Sequence, residues 1–510
     1  MIPALRSIST AFVALILTLN TEAQDLPRSN PEAEGVSSKG ILDFVRATRT
    51  SKTELHSFML LRHGKVVAEG WASPYAPDLR HSLYSCSKTF TATAVGFAVN
   101  EGKLKLSDKV ISFFPDQLPP TVSANLAKLT VEDALMMSDG QDPEPSYAAA
   151  DTNWVKSFLA APIVHEPGTK FLYNSIGTYM LSAIVQKVTG ESVLQYLKPR
   201  LFEPLGITGM DWETDLKGIN TGGWGLRLKT EDMAKFAQLF LQKGKWNGKQ
   251  ILPKSWVKKA STAKIIQHPE LPKAKRDSSD WEQGYGYQMW RCRYNAYRGD
   301  GAFGQYMIVM PDQDAALAIT AESGNMQEEI NLVWKHLLPA MSQKASSGDT
   351  TNYAELKKEL TALSLAPLEK SKTAESPQHN GTYQLQANDM KLNAITFKSN
   401  DNGTYQVIMK SDTANYDLNF GAGVWLAGST NKPGPSLTAR ARENRSMLYP
   451  AKVTGSYTWK DDHSLQLSLR YIESPHTENF ICVFDDKGVT IRQSNSFEKG
   501  KEILIKGNRI

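Results

Sequence analysis

The apolar pattern of this chain changes period once, and that change limits the fold more than any other feature. Up to about residue 342, helical runs such as Phe90–Val99 alternate with extended ones such as Phe58–Leu61. From Gly381 onward short alternating runs take over (Thr382–Leu385, Thr404–Met409, Ser464–Tyr471), separated by Asn- and Gly-rich turns. Alternation of period two marks half-buried strands. Between the two regimes lies a Ser-, Gly- and Thr-rich break, 342–351. A short helix over about Tyr353–Leu363 follows, then a Pro-, Lys- and Ser-containing linker to about Gln378. With 510 residues the chain is too long for one ordinary domain. The expected organisation is an α+β domain over 24–342, a linker with a short helix over 343–378, and an antiparallel β-sandwich or barrel over 379–510.

Within the first region, Phe58–Leu61 and Val66–Gly70 flank His63-Gly64-Lys65 and predict a hairpin. Residues 103–260 read mostly as helix and loop. Strands return from Tyr285 to Thr320, and Gln327–Ser342 reads as a closing helix. This order predicts one antiparallel sheet built from both ends of the domain, with a helical insert between them.

Ser85-Cys86-Ser87-Lys88 stands immediately before the apolar helix pattern of Phe90–Val99. Residues i and i+3 share a helix face, so the Ser85 hydroxyl and the Lys88 amine fall side by side at its first turn. A serine hydroxyl attacks only when a base takes its proton. Lysine is such a base only when neutral, which burial or nearby positive potential enforces. Free N–H groups at the helix start suit an oxyanion. The bare spacing recurs at Ser255–Lys258, Ser261–Lys264, Ser429–Lys432 and Ser496–Lys499. Ser85 is set apart by the hairpin before it, the helix after it and two further motifs downstream.

The first of these is Glu166-Pro167-Gly168-Thr169-Lys170-Phe171-Leu172-Tyr173-Asn174-Ser175, ahead of a helix over about Ile176–Val188. Ser175 is its expected N-cap and Gly190 its stop. Tyr173 then lies just before a helix start, where it either faces a cleft and shuttles a proton or packs as a core tyrosine. The second is Gly299-Asp300-Gly301-Ala302-Phe303-Gly304-Gln305, ahead of the strand Tyr306–Met310. Its small residues either let a backbone approach a ligand or simply make a turn.

Together these segments resemble the serine β-lactamase and penicillin-binding-protein superfamily. The likeness is to its class C-type branch of β-lactamases, carboxylesterases, D-amino-acid peptidases and 6-aminohexanoate-dimer hydrolases. Ser85 and Lys88 match the first family motif, Tyr173-Asn174-Ser175 the second, and Asp300-Gly301-Ala302 falls at the third. Leu135–Gly140, Gly222–Arg227 with Asp232-Met233-Ala234, and Trp246-Asn247-Gly248 are similar to other stretches of the branch. The resemblance spans residues 30–342. It implies a β-lactamase-like fold and acyl transfer through a serine ester. Ser85 would be the nucleophile, and Lys88 and Tyr173 would manage the proton, with the base among them left open. Ser175, Asp300, Gly301 and Ala302 would lie at the substrate, and backbone N–H groups of Ser85 and near Ala302 would hold the oxyanion.

Two departures shape the expected substrate. Ser175 replaces an asparagine typical of β-lactamases, and Asp300 replaces a Lys or His that holds a substrate carboxylate. An ionised aspartate there would repel such a group, unless Asp300 only caps its turn. The expected function is hydrolysis of small esters or amides, as by an esterase or dimer hydrolase. The alternatives are a β-lactamase or D-amino-acid peptidase, or a penicillin-binding protein with little turnover. Every expected catalytic group precedes residue 342, so a chain ending there is expected to keep some esterase activity. The β domain carries no catalytic constellation and is expected to pack on the first, with substrate or glycan binding as the alternative role.

The remaining features bound partners and compartment. Met1–Ala23 carries Arg6, an apolar run Ala11–Leu19 and small residues before Gln24, the pattern of a secretory leader. A periplasmic or secreted protein without a membrane anchor after cleavage is expected. Lys and Arg total 58 against 53 Asp and Glu, with no basic run interleaved with aromatics, so no nucleic-acid partner is expected. Cys86, Cys292 and Cys482 are too few for a disulfide scaffold, and Cys86 reads as a buried, inert thiol. The histidines lack ligand spacing, so no metal and no cofactor are expected. No G-x-S-x-G elbow occurs, which argues against an α/β-hydrolase. The sequence leaves the oligomeric state open.

Overall fold

Residues 53–62 are buried along almost their whole length, as a strand covered on both faces must be. In the computed structural model, which describes residues 25–145, 153–341, 350–370, 377–401, 403–438 and 449–510, this strand lies inside a six-stranded sheet, next to its edge strand. The expected leader, Met1–Ala23, and the break over 342–349 lie outside the described residues. The strands are β1 (Thr53–Arg62), β2 (Lys65–Trp71), β3 (Trp290–Arg291), β4 (Tyr297–Gly301), β5 (Gln305–Met310) and β6 (Ala315–Ser323). Their order is β2-β1-β6-β5-β4-β3, antiparallel throughout, so both ends of the domain do build one sheet.

Apolar clusters cover the two faces. On one, α1 (Ser38–Thr50) packs with residues 326–340. On the other lie α2 (Ser87–Asn100), α3 (Ser175–Thr189) and α4 (Thr230–Leu241). Every residue of α2 from Ser87 to Ala98 is buried, the mark of a helix enclosed on all sides. That enclosure desolvates Lys88. A three-stranded ribbon, His81–Ser82 with Leu226–Leu228 and Asp211–Trp212, fixes the approach to α2.

Helix α5 (Thr350–Thr361), inside the stretch read as linker, packs on α1. Leu356 and Leu363 join the core of the first domain, and Arg46 and Arg49 pair with Glu355 and Glu359. The backbone at Leu363 and Leu365 bonds Ser73.

The carboxy-terminal region forms a ten-stranded sheet that closes on itself. Asn415–Ala422 lies parallel to Ala451–Trp459, whereas the other strand pairs of this sheet among the described residues are antiparallel. Of the sandwich and barrel expected, the structure is the barrel. Tyr383, Phe397, Tyr405, Tyr457, Trp459 and Phe484 fill its interior.

Candidate active site

Ser85 sits in a single 3-10 turn, Tyr84–Cys86, that feeds directly into α2. The turn keeps the i,i+3 relation, and Lys88 Nζ lies 3.2 Å from Ser85 Oγ. The same nitrogen lies 3.1 Å from Ser175 Oγ and 2.8 Å from the Gly223 carbonyl oxygen. Lys88 is 2 % exposed. Desolvation pulls its proton affinity down to about 7, against the opposing pull of Glu144, Cys86 and Asp300. The nitrogen also sits 4.9 Å from the centre of the Tyr173 ring.

Tyr173 stacks on Trp290 at 5.8 Å, and its interaction with Ser85 pulls the phenol's proton affinity down against the larger effect of burial. Burial pushes its phenol well above the ordinary range, so the phenol keeps its proton at neutral pH. The N-cap expected at Ser175 falls one residue earlier. Asn174, not Ser175, caps α3, accepting from the Gly177 N–H at 2.9 Å. Both residue types are good caps. Placing Ser175 one position later frees its hydroxyl for Lys88. Glu144 supplies a carboxylate to the same helix start, accepting from the Ser175 N–H at 2.5 Å.

The third motif differs more from expectation. Asp300 is not a bare anion. Its carboxylate receives the Arg298 Nε and guanidinium at 2.8 Å, and the pair is buried. Burial lifts the carboxyl above its ordinary range against the opposing pull of Arg298. The expectation of an unpaired negative charge repelling substrate carboxylates is therefore corrected: Arg298, two residues earlier on the same strand face, balances it. Gly301 has a packing reason. A Cβ there would stand 2.2 Å from the Leu83 carbonyl oxygen, so its lack of a side chain lets β4 approach the segment leading to Ser85. Ala302 lies in the turn between β4 and β5, with its carbonyl accepting from the Gln305 amide.

Several residues here carry no motif of their own. Gly223 contributes only a carbonyl, and a Cβ on it would lie 2.7 Å from the Ser175 carbonyl oxygen. Cys86 is buried, bonds the Gln305 carbonyl and has its thiol pushed well up by burial. The decoy pairs lack such surroundings. Ser255 and Lys258 are exposed, and Ser261 spends its hydroxyl on the Val257 carbonyl. Among the described residues, no group of three or more His, Cys, Asp or Glu side chains is arranged to hold a metal ion. No helix among them is long and apolar enough to cross a membrane.

A buried amine beside a hydroxyl, a neutral phenol and a helix start form a set able to activate an alcohol toward a carbonyl. Comparison with known proteins agrees in fold. The family model described as Beta-lactamase matches residues 53–336. A 6-aminohexanoate-dimer hydrolase of Paenarthrobacter ureafaciens is 26 % identical over 290 residues, 53 % of this chain and 73 % of that protein. A Bacillus anthracis structure provisionally described as a 6-aminohexanoate-dimer hydrolase superposes with a TM-score of 0.50 at 20 % identity, covering 66 % of this chain and 89 % of that one. A hydrolase with promiscuous acyltransferase activity superposes with a TM-score of 0.50 at 15 % identity, covering 59 % and 99 %.

Proposed function

The chain belongs to the beta-lactamase family of serine hydrolases, and we propose that Ser85 is its nucleophile, Lys88 its general base and Tyr173 its proton donor. The enzyme cleaves ester or amide bonds of small acyl substrates. In this reading Ser85 Oγ attacks the acyl carbon while its proton passes to neutral Lys88. Backbone N–H groups of Ser85 and Ala302 hold the oxyanion. Collapse breaks the bond to the leaving alcohol or amine, which takes a proton from the Lys88–Tyr173 pair. Water then attacks the acyl-serine and releases the acid.

One observation carries this assignment: a lysine nitrogen buried 3.2 Å from the serine oxygen, with its affinity for a proton lowered to about 7. The likeness to a 6-aminohexanoate-dimer hydrolase supports short linear amides as substrates. The Met1–Ala23 pattern supports an exported enzyme, which the amino terminus of protein recovered from periplasm or medium tests.

The test of function uses p-nitrophenyl acetate, a 6-aminohexanoate dimer and a fluorescent penicillin. Ester or amide turnover that Ser85→Ala abolishes supports the reading. A stable penicillin adduct without turnover of either substrate overturns it in favour of a penicillin-binding protein.

A further inference from the structure

Tyr84 has a positive φ of 46° immediately before Ser85. Such a conformation persists in a non-glycine residue only where its surroundings hold it. Within its own domain the Tyr84 carbonyl accepts from the Ser87 hydroxyl and its ring meets Phe303 edge-on, and a further contact comes from the other domain. The Tyr84 hydroxyl meets His476 Nε2 at 2.5 Å, across 392 residues of sequence. His476 is fully buried in the turn of the barrel hairpin formed by Ser464–Tyr471 and Thr477–Phe484. Its Nδ1 lies 2.8 Å from a Glu322 carboxylate oxygen, which also receives the Ser496 hydroxyl at 2.7 Å. A carboxylate oxygen accepts only, so Nδ1 carries the hydrogen and Nε2 is free to accept from Tyr84.

The same imidazole also touches the opposite wall. Its ring meets Phe303 edge-on at 4.8 Å and Phe497 of the barrel at 4.2 Å. Phe303, with φ 67°, belongs to the turn that carries Ala302. One barrel side chain thus spans the residue before Ser85 and the turn expected to complete the oxyanion site.

Further polar contacts from the hairpin end on the same short segment. The Ser82 N–H donates to the Glu473 carbonyl at 3.0 Å. The Glu473 carboxylate takes Arg80 at 3.2 Å and Arg227 at 3.3 Å. Arg470 binds Glu54 at 2.5 Å. From Glu54 a chain runs through His56 and His81 to the Ser82 carbonyl, with links of 3.1, 3.0 and 3.1 Å. Barrel contacts also reach Glu54, Arg227 and Glu322, but those at Arg80, Ser82 and Tyr84 fall on the segment that leads directly into Ser85.

We propose that barrel residues 470–476 are a positioning element for Ser85, acting through the Tyr84–His476 hydrogen bond. The barrel is then part of the catalytic unit, although none of its residues touches the reacting atoms. This inference rests on Ser85 being the nucleophile.

Three full-length variants test it: Tyr84→Phe, His476→Gln and His476→Asn. Gln places an acceptor where Nε2 stands, whereas Asn reaches only as far as Nδ1. The readouts are kcat and KM for p-nitrophenyl acetate, the rate of fluorophosphonate labelling at Ser85, and the melting temperature. Misplacing a reacting group costs about 10- to 100-fold in rate. Tyr84→Phe and His476→Asn are expected to lose that much in kcat and labelling rate, with KM and melting temperature nearly unchanged. His476→Gln is expected to keep most activity. The Tyr84→Phe/His476→Asn double variant is expected to fall no further than Tyr84→Phe, since both remove one bond.

A Tyr84→Phe enzyme with wild-type kcat overturns the proposal. So do equal losses in His476→Gln and His476→Asn that track falling melting temperature. Should His476→Asn not fold, Tyr84→Phe against His476→Gln decides alone. Failure of the underlying reading looks different: the wild-type protein shows no ester turnover, or the fluorophosphonate labels a residue other than Ser85.

Discussion

Lys88 Nζ stands 2.8 Å from the Gly223 carbonyl oxygen, an acceptor that can take only an N–H. A neutral amine has two N–H bonds and one lone pair. With one N–H on Gly223 and the other on Ser175 Oγ, the lone pair is left for the Ser85 proton. The three partners therefore orient the base as well as bury it.

The rate should follow the neutral form of Lys88. With its proton affinity near 7, kcat/KM for a neutral ester is expected to rise as pH climbs through about 7 and then level off. Lys88→Arg stays protonated and is expected to lose activity at every pH. Stability carries the same signature with a definite sign. Folding lowers this pKa, so the unfolded chain binds more protons between about 7 and the ordinary lysine value of 10.5. The cost of burying Lys88 is full below about pH 7 and fades as pH rises toward 10.5. Urea titrations should therefore show Lys88→Met more stable than wild type at pH 6, by a margin that shrinks at pH 10. A margin independent of pH would contradict the shift.

Ser85→Ala is expected to fold normally and to lose roughly 10⁴- to 10⁶-fold in kcat. Ser261→Ala is the matched control, because its hydroxyl only back-bonds to Val257 within its own helix. Comparable losses in both would remove the special status of Ser85.

Ser175 and Asn174 should separate chemistry from stability. Ser175→Ala deletes a Lys88 partner but no cap, so kcat is expected to drop with little change in denaturation midpoint. Asn174→Ala removes the cap of α3 and is expected to cost about 1–2 kcal/mol in stability. The reverse pattern would return the capping role to Ser175.

These pairs also show what the sequence could and could not reveal. Ser85 with Lys88, and Tyr173 with Ser175, are local: one helix face and one helix entry hold them, so residue type and spacing suffice. Which of two adjacent good caps takes the N-cap position depends on where α3 begins, and pattern leaves that boundary loose by a residue. Gly223 acts through its backbone, which no side-chain motif announces. Arg298 balances Asp300 because both project from one face of β4, and a motif reading that begins at Gly299 does not see it. The bond from Tyr84 to His476 joins two domains and depends on how they pack.

The Arg298–Asp300 pair changes what Asp300→Asn should do. Removing one partner leaves a buried guanidinium uncompensated, which typically costs about 3–5 kcal/mol. Stability is expected to fall by that order, and the kcat/KM ratio of carboxylate-bearing to neutral esters to stay constant. A risen ratio without lost stability would restore Asp300 as an uncompensated pocket charge.

Cutting the chain tests how much the barrel contributes to the site. Every motif residue precedes 342, so the sequence by itself predicts that a truncated protein keeps some esterase activity. A chain ending at residue 370 retains Ser85, Lys88, Tyr173, Ser175 and Ala302, together with α5 on its native surface. It loses Arg470, Glu473, His476 and Phe497. Glu54, Arg227 and Glu322 are then left without their barrel partners, and Tyr84 loses the acceptor for its hydroxyl. Nothing from the barrel remains to restrain the left-handed backbone at Tyr84. The expected outcome is a protein with the far-ultraviolet signal of a folded α+β domain and ester turnover reduced by about 100-fold or more. Circular dichroism and a p-nitrophenyl acetate assay check the two halves of that statement. Near-wild-type turnover in a folded truncation would show that the first domain holds Tyr84 and Ser85 in place by itself.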